Sequence, residues 1–304
     1  PSRSRPAEAE DPDPEGEPMQ DADCAPHAPP RPARESFHLH GLHVDLHGPA
    51  EGPADAAPPL LLIHGFMASR AQWHGNVARL SRRRRVAVVE LLGHGRSEAP
   101  EDPGAYEIDR YVEALEALRA RLGGGRWHVC GQSLGAGVSV AYVLARPEAA
   151  IAHAFTNSGA VMTHPGDGAK VAERRATAAQ IRAGGKAKLP AARVHPAKAT
   201  RYPPETKARL MADADLLDPE AMARAMEITV PGTAAMHRLE ELRLPTLLIN
   251  GRWEKRFQAH LPALRAGIPQ LEVVDLEGGH SINAEQPEGF DRALLDFLDR
   301  HPGP

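Results

Sequence analysis

Cysteine is scarce in this sequence, since only Cys24 and Cys130 occur among 304 residues. Two cysteines cannot build a disulfide framework, and these two lie in unlike settings, a Pro/Asp-rich segment and the end of an apolar strand pattern. We therefore predict two free thiols, a state that fits a reducing compartment and leads us to expect a cytoplasmic location.

Long apolar runs are also missing. No stretch approaches the roughly 18 residues that a membrane-spanning helix requires. The formal net charge is −4, which lacks the basic excess typical of nucleic-acid binding. We expect no membrane and no nucleic-acid partner, and we expect a small molecule as the substrate. The sequence leaves the oligomeric state open.

Proline is abundant, and it is concentrated near the beginning of the chain. Residues 1–35 contain nine acidic and four basic residues and almost nothing apolar. Such a segment cannot bury enough surface to offset the entropy lost on ordering. We predict a disordered acidic tail over 1–35, which leaves the remaining chain nearly neutral at +1.

Four histidines follow the predicted tail in an alternating pattern. Residues 36–48 read SFHLHGLHVDLHG and predict two short strands that turn near Gly41. The histidines could suggest a metal site, but no cysteine or carboxylate cluster accompanies them, and alternation in a half-exposed hairpin explains them more simply. We predict no metal and no cofactor. The histidines are His38, His40, His43 and His47.

Short β-branched runs alternate with runs at helical spacing through the first half of the chain. The strand patterns begin at Leu60, Val86 and Trp127, and the clearest helix pattern covers 108–122. This alternation predicts an α/β fold with a mostly parallel central sheet and helices on both faces. Arg82 to Arg85 precede the second strand, and we interpret them as a solvated helix C-terminus.

The most informative stretch is WHVCGQSLGAG, residues 127–137. It predicts a buried strand, a sharp turn with Ser133 at its apex, and a helix. Because the chain must fold tightly to expose the hydroxyl, Gly131 and Gly135 suit positions where side chains would collide. The amide of Leu134 then points to where an oxyanion could be held. The alternative is an ordinary glycine-rich turn.

A second strand end carries His64-Gly65-Phe66. A strand that turns into a helix here places backbone amides at the carboxyl edge of the sheet. The amide of Phe66 is therefore a candidate for the other oxyanion donor. A simple strand-to-helix turn is the alternative interpretation.

The last third of the chain supplies a histidine in a suitable position. Residues 271–276 predict a strand, 277–279 a glycine turn, and His280 follows directly. A histidine at this place lies close to the strand ends and could reach Ser133 as a general base. Another strand at 244–251 precedes the charged loop RWEKRFQ.

These motifs together resemble the α/β-hydrolase fold family over roughly residues 36–302. The quoted pieces are HGF at 64–66, ELLGHGRS at 90–97, GQSLG at 131–135 and the two later strand ends. The resemblance implies Ser133 as nucleophile, Glu254 as acid and His280 as base, in the family's chain order. Aspartate is commoner than glutamate both at the acid position and where Glu90 stands.

The resemblance also implies a helical cap inserted in the fold. We expect the core over 36–160 and 232–304 and the cap over 161–231, which holds twelve basic and eight acidic residues, a net charge of +4. Surface solvation explains this charge, and a preference for anionic substrates is the alternative. The candidate substrate-binding arginines are Arg174, Arg175, Arg182, Arg193 and Arg201.

Three functions fit these patterns. The first is a serine hydrolase that cleaves an ester or related acyl bond through an acyl-enzyme. The second is a carbon–carbon bond hydrolase or lyase acting on an anionic keto acid, because the loop WEKRFQ is similar to the acid loop of 2-succinyl-6-hydroxy-2,4-cyclohexadiene-1-carboxylate synthase. The third is a non-catalytic ligand-binding protein of the same fold, against which the complete set of Ser133, Glu254 and His280 argues.

Overall fold

The computed structural model describes residues 33–49 and 57–303. Cys24 and positions 1–32 of the predicted tail lie outside these residues. The first strand begins at Glu35, the last residue of that predicted tail, because the amide of Arg34 already pairs with the carbonyl of Leu46 at 2.8 Å. Cys130 is a buried free thiol.

The described residues form one eight-stranded sheet in the order β1-β2-β4-β3-β5-β6-β7-β8. The β1–β2 and β2–β4 pairs are antiparallel, and all other neighbours are parallel. The predicted α/β class with a mostly parallel sheet is therefore confirmed. The strands are β1 Glu35–Leu39, β2 Leu42–His47, β3 Ala57–Ile63, β4 Arg84–Glu90, β5 Trp127–Gly131, β6 Ala150–Thr156, β7 Thr246–Gly251 and β8 Leu271–Leu276.

Helices cover both faces of this sheet. Their bounds are α1 His74–Leu80, α2 Ile108–Arg121, α3 Leu134–Ala145, α4 Gly168–Lys188, α5 Pro204–Ala214, α6 Pro219–Arg224, α7 Val230–Gly232, α8 Lys255–Gln258, α9 Leu261–Gly267, α10 Ile282–Glu285 and α11 Pro287–Asp299. Along β3, Leu60 and Leu62 pack in the cluster with α1 and α11, whereas Leu61 and Ile63 pack with α2 and α3. This two-sided burial follows from the alternation of side chains along a strand.

The sequence MASRAQWHGNVARL, residues 67–80, predicts a single helix after β3, but α1 is shorter and begins at His74. After β3 the chain turns through Met67, which has a positive φ of 57°, and forms a 3₁₀ helix at Arg70–Trp73 before α1 begins. The side chain of Ser69 accepts from the amide of Ala71 and starts this turn. The loop before α1 therefore lies at the carboxyl edge of the sheet, directly after β3.

The interpretation of Arg82 to Arg85 as a solvated helix end is wrong for Arg84. This residue begins β4 and is buried, with Nη2 2.6 Å from the Asp299 carboxylate and Nη1 3.3 Å from Nδ1 of His128. A buried cation needs such partners. They come from residues 44 and 215 positions away, which a local pattern does not reveal.

Between β6 and β7 the described chain is helical and contains no strand. This insertion holds α4 to α7, 3₁₀ helices at Leu189–Ala191 and Pro196–Lys198, and a π-helix at Ala225–Thr229. Hydrogen bonds join it to the core: Ser69 Oγ donates to Asp213 at 2.7 Å and Thr229 Oγ1 donates to the Tyr106 carbonyl at 2.8 Å. The predicted domain limits at 161 and 231 stay predictions.

Candidate active site

The turn between β5 and α3 has the strained geometry expected of a nucleophile elbow. Ser133 adopts φ 52° and ψ −109°, a conformation that side-chain-bearing residues rarely take and that typically costs about 1–3 kcal/mol. A Cβ on Gly131 would lie 2.2 Å from the Gly135 carbonyl oxygen, and one on Gly135 would lie 2.2 Å from that of Ile63. Both glycines are therefore required by close backbone contact, as the sequence predicts.

Three side chains meet above this turn. Nε2 of His280 lies 2.7 Å from Ser133 Oγ, and Nδ1 lies 2.9 and 3.0 Å from the two carboxylate oxygens of Glu254. A carboxylate only accepts, so the imidazole proton sits on Nδ1 and Nε2 is free to accept the hydroxyl proton. The structure thus brings together the residues proposed as nucleophile, base and acid; their catalytic roles stay predictions.

Glu254 is held in its charged form. Burial acts to raise the pKa of this carboxyl, but hydrogen bonds with His280 and Asn157 and electrostatic attraction to His280 and Arg193 together lower the pKa below its usual value. The residue stands before α8 at the end of the loop after β7. An ionised carboxylate is what stabilises an imidazolium during proton transfer.

The loop after β3 presents the amide of Phe66 between two anchored neighbours. Gln72 Oε1 accepts from the amide of Gly65 at 2.9 Å, and His94 Nε2 accepts from the amide of Met67 at 3.1 Å. Among the described residues, the Phe66 amide and the Leu134 amide donate to no backbone carbonyl. Both remain available for an oxyanion, the role predicted for them.

Two buried histidines, both neutral, hold this loop in place. His64 donates from Nδ1 to the Gly65 carbonyl at 2.7 Å and accepts at Nε2 from the amide of Leu91 at 3.0 Å. His94 makes the equivalent pair with the Leu92 carbonyl and the Met67 amide. Because burial disfavours the charged imidazolium, it lowers the pKa of His64 to about 4 and that of His94 to about 3.

A cavity of about 210 Å³ opens above Ser133 and is roofed by the inserted segment 193–202. Of the five candidate cap arginines, Arg193 and Arg201 line it, and the other three are absent from its lining. Arg182 instead pairs with the carboxylates of Glu220 and Glu227, each at 2.8 Å. The structure therefore narrows the candidates for substrate contact to two arginines.

Several contacts in the site have no counterpart in the sequence motifs. Gln132 donates from Nε2 to the carbonyl of His280 at 2.9 Å, and Tyr202 donates its hydroxyl to Ser281 Oγ at 2.7 Å. The sequence could have indicated a role for Gln132, because this residue stands directly before the elbow serine. Neither Tyr202 nor Gln72 has one, because each meets its partner only after the chain has folded.

Metal and membrane features can be stated for the described residues alone. Among them, no three side chains of His, Cys, Asp or Glu are grouped so as to hold a metal ion. In the hairpin, His43 instead contacts Asp45 at 2.9 Å and His38 contacts the carbonyl of Arg96 at 2.9 Å. No helix of the described chain is both long and apolar enough to cross a bilayer.

We expect Glu254→Gln to lower kcat by roughly 10³- to 10⁴-fold, since an amide cannot stabilise the imidazolium and can invert the tautomer of His280. The measurement is steady-state hydrolysis of a chromogenic ester, with thermal unfolding to show an intact fold. Glu254→Asp is the matched control, which we expect to retain more activity than Gln because it keeps the charge. Unchanged turnover in the Gln variant would move the acid to another residue.

The described chain has a serine at a strand-to-helix elbow, a mostly parallel sheet and a helical insertion over the strand ends. These features are typical of enzymes that use an exposed serine as the nucleophile. The family model described as alpha/beta hydrolase fold matches residues 58–287. The chain belongs to this family, and it is a hydrolase. The family recognised from the sequence motifs is thereby confirmed.

Individual relatives are similar to this chain over most of their length. "Carboxylesterase YbfK" of Bacillus subtilis (strain 168) is 26% identical over 276 residues, covering 87% of this chain and 88% of that protein. The B. subtilis protein named "Putative 2-succinyl-6-hydroxy-2,4-cyclohexadiene-1-carboxylate synthase" is 24% identical, covering 82% and 92%. The crystal structure of a hydrolase from Pseudomonas aeruginosa PA01 has a TM-score of 0.68 and 26% identity, covering 84% and 94%.

Proposed function

We propose that this protein cleaves an ester or related acyl bond of a small molecule through an acyl-enzyme on Ser133. The observation that carries the proposal is the unbroken hydrogen-bond chain from Glu254 through His280 to the Ser133 hydroxyl. Such a chain makes a neutral hydroxyl nucleophilic at the moment of attack. A non-catalytic binding protein would have no use for it.

The reaction then follows two half-steps. Ser133 Oγ attacks the acyl carbon while His280 Nε2 takes its proton, and the resulting oxyanion is held by the amides of Phe66 and Leu134. The C–O bond to the leaving alcohol breaks, and His280 returns the proton to that alcohol. Water attacks the acyl carbon and gives a proton to His280 Nε2. The bond between the acyl carbon and Ser133 Oγ then breaks as His280 returns the proton to Oγ, and the acid is released.

A panel of p-nitrophenyl esters from acetate to decanoate tests this proposal. The cavity of about 210 Å³ is small, so we expect the highest kcat/KM for short acyl chains and a steep decline as the chain lengthens. A burst of nitrophenol equal to the enzyme concentration would report the acyl-enzyme when deacylation is slower. Absence of turnover on every ester, together with saturable ligand binding, would favour the non-catalytic alternative.

The charge of the cavity favours a second candidate, a carbon–carbon bond hydrolase or lyase acting on an anionic keto acid. Arg201 is neutralised by Glu285 at 2.5 Å, whereas Arg193 and Lys198 also line the cavity and form no ion pair with a described carboxylate. A cavity with two unpaired cations attracts anions. The relative named as a synthase of a cyclohexadiene carboxylate is consistent with this candidate.

Charge-matched substrates separate the two candidates. We expect Arg193→Gln to lower kcat/KM about tenfold for a hemisuccinate nitrophenyl ester, the typical loss for a charge contact, and to lower it much less for nitrophenyl butyrate. Arg175→Gln, a cap arginine outside the cavity lining, is the matched control. A vinylogous diketone acid tested in parallel reports carbon–carbon cleavage. Equal losses for charged and neutral esters would remove the anionic preference.

A further inference from the structure

The loop that carries His280 is held on its core side by two neighbouring elements. We call residues 277–281 the histidine loop. Gln132 of the elbow donates to the carbonyl of His280 at 2.9 Å, and the amide of Trp253, next to Glu254, donates to the carbonyl of Gly278 at 2.9 Å. These bonds fix the loop relative to the nucleophile and the acid.

The same loop is held from the opposite side by the inserted segment. The hydroxyl of Tyr202 donates to Ser281 Oγ at 2.7 Å, one residue after His280. Arg201 Nε donates at 2.5 Å to the carboxylate of Glu285, and the same oxygen accepts the amide of Gly279 at 2.8 Å, one residue before His280. Tyr202 therefore bonds directly to the residue after His280, and Arg201 is linked to the residue before it through the Glu285 carboxylate.

Burial makes these contacts hard to replace by water. The side chain of Glu285 is 6% exposed, although that of its partner Arg201 is 50% exposed. Ser281 is buried, and Tyr202 is half-buried with its pKa raised by burial. Removing a partner in such surroundings leaves a polar group unpaired, so the loop must shift to recover a bond. Arg201 also lies so close that a Cβ on Gly279 would be 2.2 Å from its Nη2.

We infer that Tyr202 and Arg201 are positioning residues for His280, so that the inserted segment roofing the cavity also sets the geometry of the proposed catalytic base. The inference rests on the proposed function of His280. It assigns to these side chains an effect on the chemical step rather than on substrate affinity. Displacing the segment 193–202 breaks the Tyr202–Ser281 bond and the Arg201–Glu285 ion pair, and it lowers the reactivity of Ser133.

The first test is a double-mutant cycle with p-nitrophenyl acetate, whose small acyl group needs no contact with the roof. We expect Tyr202→Phe and Ser281→Ala each to lower kcat about tenfold with little change in KM, since small misplacements of catalytic groups have effects of this size or larger. Because the two groups form one bond, the double variant is expected to be no slower than either single variant.

Tyr142→Phe is the matched control for this cycle. It also removes a hydroxyl that donates to a partly buried side chain, the carboxylate of Glu116 at 3.0 Å, but on α3 away from the histidine loop. We expect it to lower the thermal midpoint at least as much as Tyr202→Phe while leaving kcat unchanged. Equal kcat in Tyr202→Phe, Ser281→Ala and the wild type would overturn the inference.

The second test uses Arg201→Gln and the rate of Ser133 phosphonylation by a small fluorophosphonate, which avoids any role of Arg201 in substrate binding. We expect labelling several-fold slower than in the wild type. Labelling at the wild-type rate contradicts the inference while the proposed nucleophile stands, whereas absence of labelling in the wild type contradicts the proposed function itself. If Arg201→Gln does not fold, Tyr202→Phe, which removes one oxygen atom, decides.

Discussion

Ser133→Ala is expected to reduce kcat for the best ester by roughly 10⁶-fold, the loss typical of removing a serine nucleophile. The reason is geometric. Ser133 Oγ is the atom that His280 Nε2 contacts at 2.7 Å, and the strained backbone of the elbow presents it at the carboxyl edge of the sheet. Alanine keeps the backbone and the cavity, so substrate binding should persist while bond cleavage stops.

The experiment combines two readouts on the purified protein. Steady-state hydrolysis gives kcat, and a fluorophosphonate probe followed by peptide mapping reports the labelled residue. Ser36→Ala is the control, because Ser36 lies on β1 and its hydroxyl donates to Asp45 at 2.6 Å. Labelling that survives Ser133→Ala, or a kcat that falls less than about tenfold, would place the nucleophile elsewhere. Removing a triad nucleophile lowers kcat far more than that.

A steep loss of stability below pH 6.5 is the second large effect that we expect. Burial lowers the pKa of His64 and His128 to about 4 and that of His94 and His153 to about 3. In the unfolded chain these imidazoles titrate near 6.5. Between pH 6.5 and 4 the unfolded chain therefore binds protons that the folded protein does not bind, so the free energy of unfolding decreases as the pH falls.

The size of this effect is comparable to the usual margin of stability. Each imidazole contributes up to about 1.4 kcal/mol per pH unit, and four together contribute about 5. Asp291 opposes them: burial raises its pKa to about 8, so folding takes up one proton there and the net slope is about 4 kcal/mol per pH unit. Because domains are stable by about 5–15 kcal/mol, we expect acid unfolding between pH 6 and 4.

Urea unfolding at half-unit pH steps measures this slope. His153→Gln is the informative variant, because the ring of His153 is buried on β6 and contacts Ser139 Oγ at 2.9 Å, away from the catalytic groups. We expect the variant to be less stable at pH 7 but to have a slope shallower by about 1.4 kcal/mol per pH unit, the share of one imidazole. A wild-type free energy of unfolding that does not decrease from about pH 6.5 to about 4.5 would contradict the lowered pKa values of these histidines.

The sequence predicted the parts of the site that depend on local geometry. Gly131 and Gly135 flank Ser133 because a turn this tight brings backbone oxygens within 2.2 Å of any Cβ, and that demand is visible as a spacing of glycines. The strand ends before Glu254 and His280 were likewise visible as apolar runs closed by glycine. Parallel strands end at one edge, so the meeting of these residues could be expected.

Contacts that depend on the approach of distant segments could not be predicted in the same way. Arg84 is buried rather than solvated because Asp299 and His128 reach it from other parts of the chain. The selection of Arg193 and Arg201 from the basic insertion, and the contacts of Tyr202 and Glu285 around the histidine loop, depend on how the insertion lies over the strand ends.

The sequence by itself determined the class of fold, the elbow and the order of the three reactive side chains, because these follow from the periodicity and local sterics of the backbone. The tertiary structure alone decided which charges face the cavity and what holds the imidazole. Those features arise from packing between segments that are far apart in the chain. The type of a side chain does not indicate which distant residue it will contact in the folded protein.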